Sequence, residues 1–216
     1  MQIVLASNNQ GKLRELKDLL PKEVQVKTAG ELGIELPEET GSTFEENAFL
    51  KARAVAAASG LIAVADDSGL EVDALNGAPG VHSARFAGEP SDDAKNNALL
   101  LDKLTVIPED QRTARFQSVV AVVAPNGEEF CAQGTIEGRI LEAPRGCGGF
   151  GYDPLFLIRG YDQTMAELSL DEKNSISHRA RAFRGVIEQL TELLESYYEC
   201  RVNGADAHRS HIEVEP

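Results

Sequence analysis

Leu61–Gly88, LIAVADDSGLEVDALNGAPGVHSARFAG, is the segment around which the rest of the chain is organised. It opens with a short apolar run, Leu61 to Ala65, of the length and composition expected for a buried strand. Two adjacent carboxylates, Asp66 and Asp67, follow this run. Because the apolar run stops here, we expect the strand to end at the aspartates. The open end of a buried strand is where α/β proteins usually place their chemistry.

The two aspartates have two interpretations. Successive side chains of a strand point to opposite faces, so only one aspartate is expected to face a given site. Alternatively, Asp66 to Gly69 form a turn, in which Asp and Ser bond nearby backbone groups and glycine takes a positive φ. The dipeptide alone favours the turn, so the rest of the chain has to decide.

Composition limits the classes of partner. The chain has 216 residues, 42% of them hydrophobic, which is enough for the core of one domain, of one or two lobes. Its 35 acidic against 21 basic residues argue against a surface that binds nucleic acid or anionic membrane. Three widely spaced cysteines predict reduced thiols, and no apolar run approaches membrane-spanning length. We therefore expect a cytoplasmic protein.

The N-terminal segment predicts an anion-binding loop. Gln2–Ala6 is a predicted strand, Leu13–Leu20 a predicted helix, and SNNQGK lies between them. Backbone N–H groups at a helix start and the charge of Lys12 favour an anion. An ordinary connection with an exposed lysine is the alternative. The loop is not a Walker A motif, since Leu13 stands where a magnesium-binding hydroxyl is needed, so carboxylates elsewhere must hold any magnesium.

An acidic loop precedes a strong helix. Glu38 and Glu39 are either plain solvated charges, or one of them meets the aspartates and completes a carboxylate site for a hard cation. Ser42 to Glu45 fit a capping box for a helix over 44–58, which Gly60 closes.

The second half of the chain predicts a hairpin and a glycine-rich loop. Residues 113–124 and 128–135 form the hairpin, so the sheet is expected to be mixed. Gly146–Pro154 contains four glycines close together, which allow close backbone approach to a ligand, and Phe150 and Tyr152 offer flat faces.

A last helix is predicted from Ser177 to Tyr198. His178 and Arg179 lie in its first turn, where basic residues oppose the helix dipole, and Lys173 lies just upstream. From Cys200 onward the sequence has no periodicity. We therefore expect a single domain over 1–199 and a disordered tail over 200–216.

Five of these segments, taken together, resemble one known family. They are SNNQGK, LPEETGSTFEENAFLKA, ADDSGLEVDALNGAPGVHSARFAG, GGFGYDPLF and AELSLDEKNSISHRARAF. In this order they resemble the inosine/xanthosine triphosphate pyrophosphatase family of house-cleaning enzymes. The resemblance is colinear from about Ile3 to the last helix.

The resemblance implies an elongated, two-lobed α/β fold, with a long mixed β-sheet flanked by helices and a nucleotide cleft between the lobes. It implies a homodimer and a Mg²⁺-dependent reaction. In that reaction a noncanonical purine (deoxy)nucleoside triphosphate (ITP, dITP or XTP) and water give the monophosphate and pyrophosphate.

The resemblance also implies roles for individual residues. Asp67 would be the general base and, with Glu38, a magnesium ligand. Ser68 would touch the substrate, and Phe150 would stack on the base. The remaining substrate-binding positions would be Ser7, Asn8, Asn9, Gln10, Gly11 and Lys12 at the triphosphate, and Gly151, Tyr152, Asp153, Lys173, His178 and Arg179 around the nucleoside.

Two alternatives stay open. One is a related pyrophosphatase of different base preference, such as the Maf-type enzymes that act on dTTP or UTP. The other is a catalytically silent nucleotide-binding protein in which Asp66-Asp67 is a turn.

Overall fold

The computed structural model describes residues 1–209, without the side chains of residues 15, 170 and 199–209. Within this range the strands are β1 (Gln2–Leu5), β2 (Gln25–Thr28), β3 (Ile62–Val72), β4 (Thr113–Val123), β5 (Glu129–Ile140) and β6 (Phe156–Ile158). The α-helices are α1 (Gln10–Leu19), α2 (Phe44–Ser59), α3 (Asp93–Leu104), α4 (Leu170–Ile176) and α5 (His178–Arg209). Short 3-10 helices cover Gly30–Leu32, Asp73–Leu75, Gly80–Arg85, Glu109–Gln111 and Asp153–Leu155.

The strands form one mixed sheet in the order β2-β1-β3-β4-β5-β6. β1 pairs in parallel with β2 and β3, since helical crossovers connect these strands. β3 to β6 pair antiparallel, and Gly127, with φ +91°, lies in the tight turn between β4 and β5. The predicted mixed α/β sheet is confirmed. The two lobes and the elongated outline stay predictions.

β3 differs most from its predicted form. It passes without a break through Asp66 and Asp67, and β4 pairs with it from Ala63 to Val72. The predicted strand end at the aspartates is wrong, and so is the turn, because ladder hydrogen bonds to β4 outweigh the weak strand preference of Asp, Ser and Gly. β1 pairs with β3 only as far as Val64. The aspartates therefore lie beyond the end of one neighbouring strand.

Each face of the sheet is covered by helices. Alternate residues of β1 and β3, such as Leu5 and Val64, pack against α1 and α5, where Phe183 and Leu190 are fully buried. The residues between them, such as Val4 and Ala65, pack against α2. A third cluster joins the far half of the sheet to α3 and β6. This alternation decides which aspartate faces which layer.

Helix α2 begins at Phe44 as predicted, but its N-cap lies one residue after the predicted one. Thr43, and not Ser42, is the N-cap, and its side chain accepts the Glu46 N–H while Glu46 bonds back. The predicted pairing of Ser42 with Glu45 is therefore wrong by one position. At the other end Gly60 has φ +66°, the left-handed conformation that glycine adopts most easily, and it closes the helix as predicted.

The helix boundaries at the two ends of the chain also differ from the prediction. α1 begins at Gln10 because Asn9 caps it, three residues before the predicted start. α5 continues to Arg209, past the predicted end at Tyr198. The rest of the predicted disordered tail, residues 210–216, lies outside the described residues. Within the described part of the chain, no helix combines the length and the apolar character that a membrane span requires.

Candidate active site

The loop after β1 is held by its own side chains. Asn9 Oδ1 accepts hydrogen bonds from the N–H groups of Gly11 at 2.8 Å and Lys12 at 3.2 Å. Ser7 Oγ accepts the Asn9 N–H, and Asn8 Oδ1 accepts the Gly30 N–H. This segment has the predicted strand–loop–helix form, but two of the N–H groups expected to point at an anion are bonded to Asn9.

Asp66 faces the α1 and α5 side of the sheet and joins two distant cations. Its side chain is fully buried, with Lys12 Nζ at 2.8 Å from one carboxylate oxygen and Arg179 Nε at 3.5 Å from the other. Burial would raise the pKa of Asp66, but the two cations outweigh it and the pKa lies below its ordinary value. Asp66 is therefore ionised, and its ion pairs connect helix α1, through Lys12, to helix α5.

Asp67 faces the opposite side, toward α2. Asn47 Nδ2 donates to Asp67 Oδ2 at 3.1 Å, and Lys51 Nζ lies 3.3 Å from Asp67 Oδ1. Lys51 also bonds Glu39 at 2.5 Å. Burial raises the pKa of Asp67, Lys51 opposes it, and Glu39 adds to the rise, with the net pKa above its ordinary value. Two carboxylates thus share one ammonium group.

Lys51 keeps its charge in this cluster. Burial would lower the pKa of Lys51, but Asp67 and Glu39 more than offset this, and its pKa is raised. Glu38, the predicted metal ligand, is exposed, whereas its neighbour Glu39 is the residue that reaches Lys51. Among the described residues no three His, Cys, Asp or Glu side chains are arranged as a ready metal site.

The glycine-rich loop presents an exposed aromatic ring on a fixed backbone. Phe150 is 57% exposed, and its N–H donates to Asp153 Oδ2 at 2.9 Å. Asp153 is buried and forms an ion pair with Lys173. Tyr152 is buried, and its hydroxyl donates to the Ser83 carbonyl at 2.8 Å. The Tyr152 side chain therefore packs inside the protein and holds the loop in place, and its ring is not the exposed flat face that was predicted.

Basic groups surround the Phe150 ring. Lys173 Nζ lies 4.5 Å and the Arg179 guanidinium carbon 5.7 Å from the ring centroid, distances suited to cation–π attraction. His178 is stacked on Phe116, with ring centroids 5.1 Å apart. Burial, together with Arg179 and Lys173, lowers the pKa of His178 to about 3. The imidazole is therefore neutral at physiological pH.

These groups meet in one cleft of about 560 Å³. It brings together Ser68, the Phe150 loop and the start of α5, as expected. The predicted residues that line it are Asn9, Gly11, Ser68, Phe150, Gly151, Tyr152, Asp153, Lys173, His178 and Arg179. The predicted residues outside its lining are Ser7, Asn8, Gln10, Lys12, Glu38 and Asp67. Lys12 and Asp67 are nonetheless next in sequence to the lining residues Gly11 and Ser68.

Sequence reasoning missed the polar residues that α2 contributes. Asn47 and Lys51 lie one turn apart on the buried face of α2, in line with Ala48, Ala52 and Val55. A lysine and an asparagine in phase with an apolar helix face are the signal that was present in the sequence, because buried polar groups need partners.

The sequence and the fold were compared with those of known proteins. A family model described as the Ham1 family matches residues 3–189. A protein of Desulforamulus reducens named dITP/XTP pyrophosphatase is 55% identical over 195 residues, which cover 89% of this chain and 97% of that protein. A Bacillus subtilis protein of the same name is 50% identical over 90% of this chain and 98% of its own length.

Solved structures show the same architecture. The Staphylococcus aureus Ham1 protein superposes with a TM-score of 0.83 at 45% identity, covering 89% of this chain and 99% of that one. A Mycobacterium abscessus protein described as a nucleoside-triphosphatase / dITP/XTP pyrophosphatase gives a TM-score of 0.73 at 47% identity, covering 87% of this chain and 99% of that one.

Proposed function

The chain belongs to the Ham1 family, and on that premise we propose that it hydrolyses noncanonical purine (deoxy)nucleoside triphosphates, ITP, dITP and XTP, to the monophosphate and pyrophosphate. The relatives named dITP/XTP pyrophosphatase support this activity. The observation that carries the proposal is the cleft itself. Its lining combines the exposed Phe150 ring, three nitrogen-bearing side chains, and Gly11 of the loop after β1. The next residue of that loop, Lys12, pairs with Asp66, the neighbour of Asp67.

The triphosphate binds at the loop after β1. Lys12 supplies a positive charge there, and the N-terminus of α1 favours an anion. Ser7, Asn8, Asn9, Gln10 and Gly11 shape the loop. Because the whole protein is strongly acidic, this local positive charge is needed to hold a polyphosphate.

The carboxylates beside Asp67 fit a divalent cation. Buried Asp67 and half-buried Glu39 share Lys51, and Arg85 lies 3.9 Å from Glu39. The oxygens of these carboxylates are donors that Mg²⁺ prefers. We assign Mg²⁺ to Asp67 and Glu38, with Glu39 as the neighbouring carboxylate. Bound Mg²⁺ supplies charge neutralisation on the triphosphate and a lower pKa for water.

Asp67 acts as the general base. Its carboxylate accepts a proton from the attacking water, the new P–O bond forms at the α-phosphorus, and the α–β anhydride bond breaks to release pyrophosphate. A raised pKa brings a carboxylate closer to the operating pH, where a general base works best. Lys51 and Asn47 hold this carboxylate in place.

The base stacks on Phe150 within reach of Lys173, His178 and Arg179. Hypoxanthine and xanthine present a carbonyl acceptor at position 6, which pairs with a donor, whereas adenine presents an amino donor. An unpaired buried donor costs about 1–3 kcal/mol, which gives a preference against ATP of roughly five- to 150-fold.

Two further properties belong to the same proposal. We propose that the protein is a homodimer and that it is cytoplasmic. Reduced cysteines and the absence of a membrane-spanning helix in the described residues are consistent with that location. Mass measurement in solution would test the dimer, and a monomer at micromolar concentration would contradict it.

A nucleotide panel tests the function. Purified protein with Mg²⁺ is incubated with ITP, XTP, dITP, ATP, GTP, dTTP and UTP, and pyrophosphate and orthophosphate are measured separately. We expect pyrophosphate from ITP, dITP and XTP. For Asp67→Asn, which keeps the shape but loses the base, we expect kcat to fall by about a hundred- to ten-thousandfold.

Other outcomes identify the alternatives. Orthophosphate in place of pyrophosphate means a different reaction class, and preferential turnover of dTTP or UTP means a Maf-like specificity. ITP binding without turnover at any metal concentration means a silent nucleotide-binding protein.

A further inference from the structure

Helix α3 holds one residue of the glycine-rich loop by both of its backbone polar groups. Asp93 Oδ2 accepts the Gly151 N–H at 2.7 Å, and Asn97 Nδ2 donates to the Gly151 carbonyl at 2.9 Å. Asp93 and Asn97 are four residues apart, so both side chains project from the same face of α3. Two side chains more than fifty residues away in sequence thus fix a single glycine.

Neither Asp93 nor Asn97 is the N-cap of α3. Asp92 caps the helix by accepting the Lys95 N–H, which leaves Asp93 free for the loop. Asn97 Oδ1 is buried without a hydrogen-bond partner among the described residues. Burying this oxygen without a partner carries a cost. The hydrogen bond from Nδ2 to Gly151 is the one that the structure shows for this amide.

The bonds to Gly151 help to fix the backbone from which the Phe150 ring projects. Gly151 has φ +59°, a left-handed conformation that glycine adopts without strain. On the other side, the Phe150 N–H bonds Asp153 Oδ2 and the Phe150 carbonyl accepts the Asp153 N–H at 3.2 Å. All four polar backbone groups of the Phe150–Gly151 pair are therefore bonded, while the ring itself is 57% exposed.

We propose that Asp93 and Asn97 are positioning residues for the nucleobase, which keep Phe150 preorganised as its stacking platform. This inference rests on the proposed function. A preorganised platform pays its ordering entropy during folding and not during binding, so it increases affinity without a new contact to the ligand. The clamp acts on the base end of the cleft and leaves the loop after β1 untouched.

The proposal can be tested by measuring binding of the base separately from binding of the triphosphate. The KM for ITP depends on both ends, whereas the inhibition constant of inorganic tripolyphosphate depends on the triphosphate end alone. Asn97→Leu removes the donor at similar volume, and Asp93→Ala removes the acceptor. Asp93→Asn keeps an acceptor oxygen and serves as the rescue variant, and Asp102→Asn on the exposed face of α3 is the matched control.

We expect Asn97→Leu and Asp93→Ala each to raise the KM for ITP about three- to tenfold, the effect of one lost hydrogen bond. The kcat and the tripolyphosphate inhibition constant should stay within about twofold, because only binding of the base is lost. Asp93→Asn should restore most of the affinity. The double variant should lose less than the product of the single effects, since both residues hold the same glycine.

Two results would overturn the inference. One is an unchanged KM in Asn97→Leu and Asp93→Ala with a lower Tm, which is the pattern of a merely structural contact. The other is a tripolyphosphate constant that rises in parallel with KM. Asp93 also lines the cleft, whereas Asn97 does not, so the Asn97 variant carries the test, and Asn97→Ser takes its place should Asn97→Leu fail to fold. Failure of the proposed function would be visible separately, as wild-type protein that releases no pyrophosphate from ITP.

Discussion

At the scale of single residues, the two neighbouring aspartates have different partners because a strand alternates its side chains. Asp66 ties Lys12 to Arg179 on one face, and Asp67 meets Lys51 on the other. Of these two adjacent acids, Asp66 therefore forms a structural ion pair with two cations, and Asp67 is the candidate catalytic group. Each carboxylate has cationic partners that differ from those of the other.

His178 makes a prediction about stability against pH. Its pKa is about 3 in the folded chain against an ordinary value of 6.5, so the unfolded chain binds a proton that the folded chain does not between these values. The stability contributed by neutral His178 is present above pH 6.5 and is lost as pH falls toward 3. From pH 7.5 to 5.0 this loss amounts to about 2 kcal/mol.

Urea unfolding at pH 7.5 and at pH 5.0 measures this loss of stability. His178→Gln should lose about 2 kcal/mol less than wild type on this change of pH. His82→Gln, at an exposed histidine, is the control and should behave like wild type. An equal loss in wild type and His178→Gln would mean that His178 is not buried in its neutral form.

At the scale of secondary structure, the site depends on where helices begin. α1 begins directly after Asn9, α2 after Thr43, and α5 with His178. Each start is fixed by a local side chain or turn, so the residues that reach the cleft are placed by short-range hydrogen bonds. α2 carries Asn47 and Lys51 to Asp67 only if its first turn is in register.

Thr43→Ala tests the cap of α2. It removes the acceptor for the Glu46 N–H and should lower the free energy of unfolding by about 0.5–2 kcal/mol. Ser42→Ala is the comparison, since its hydroxyl only donates to Glu46 Oε2 at 2.7 Å, and its loss should be smaller. Chemical denaturation gives both values. A larger loss for Ser42→Ala would return the cap to the position first predicted from the sequence.

At the scale of the whole molecule, the cleft is assembled from segments that lie far apart in sequence. β3, the loop at Phe150 and the start of α5 meet because β4 and β5 bring the second half of the chain back beside β3. A ligand that spans this cleft contacts all of these segments at once. Its binding should therefore stabilise the folded chain as a unit.

The Asp67→Asn variant is expected to bind nucleotide without turnover, so the stabilisation by bound nucleotide can be measured with it. With Mg²⁺ and ITP at about 100 times its Kd, the stabilisation should be about 2.7 kcal/mol, which corresponds to a rise in Tm of roughly 5–10 °C for a chain of this length. ATP at the same concentration should raise the Tm less. Equal shifts for the two nucleotides would contradict recognition at position 6 of the base.

The segments that form the cleft were expected from the resemblance to a known family, whereas the mixed α/β sheet and the order of its elements were predictable from the residues themselves. Their signals are local, because apolar periodicity, capping residues and glycine-rich turns each act within a few residues. The closing of α2 at Gly60 and the hairpin after β4 are of this kind.

Three features required the folded chain: the course of β3 through the aspartates, the face that each aspartate takes, and the bonds from Asp93 and Asn97 to Gly151. The ladder from β4 overrides the local preference of Asp66 to Gly69, and the partners of a buried charge come from elements that fold beside it. Pairing across the sheet is a long-range property, and short segments of sequence carry no record of it.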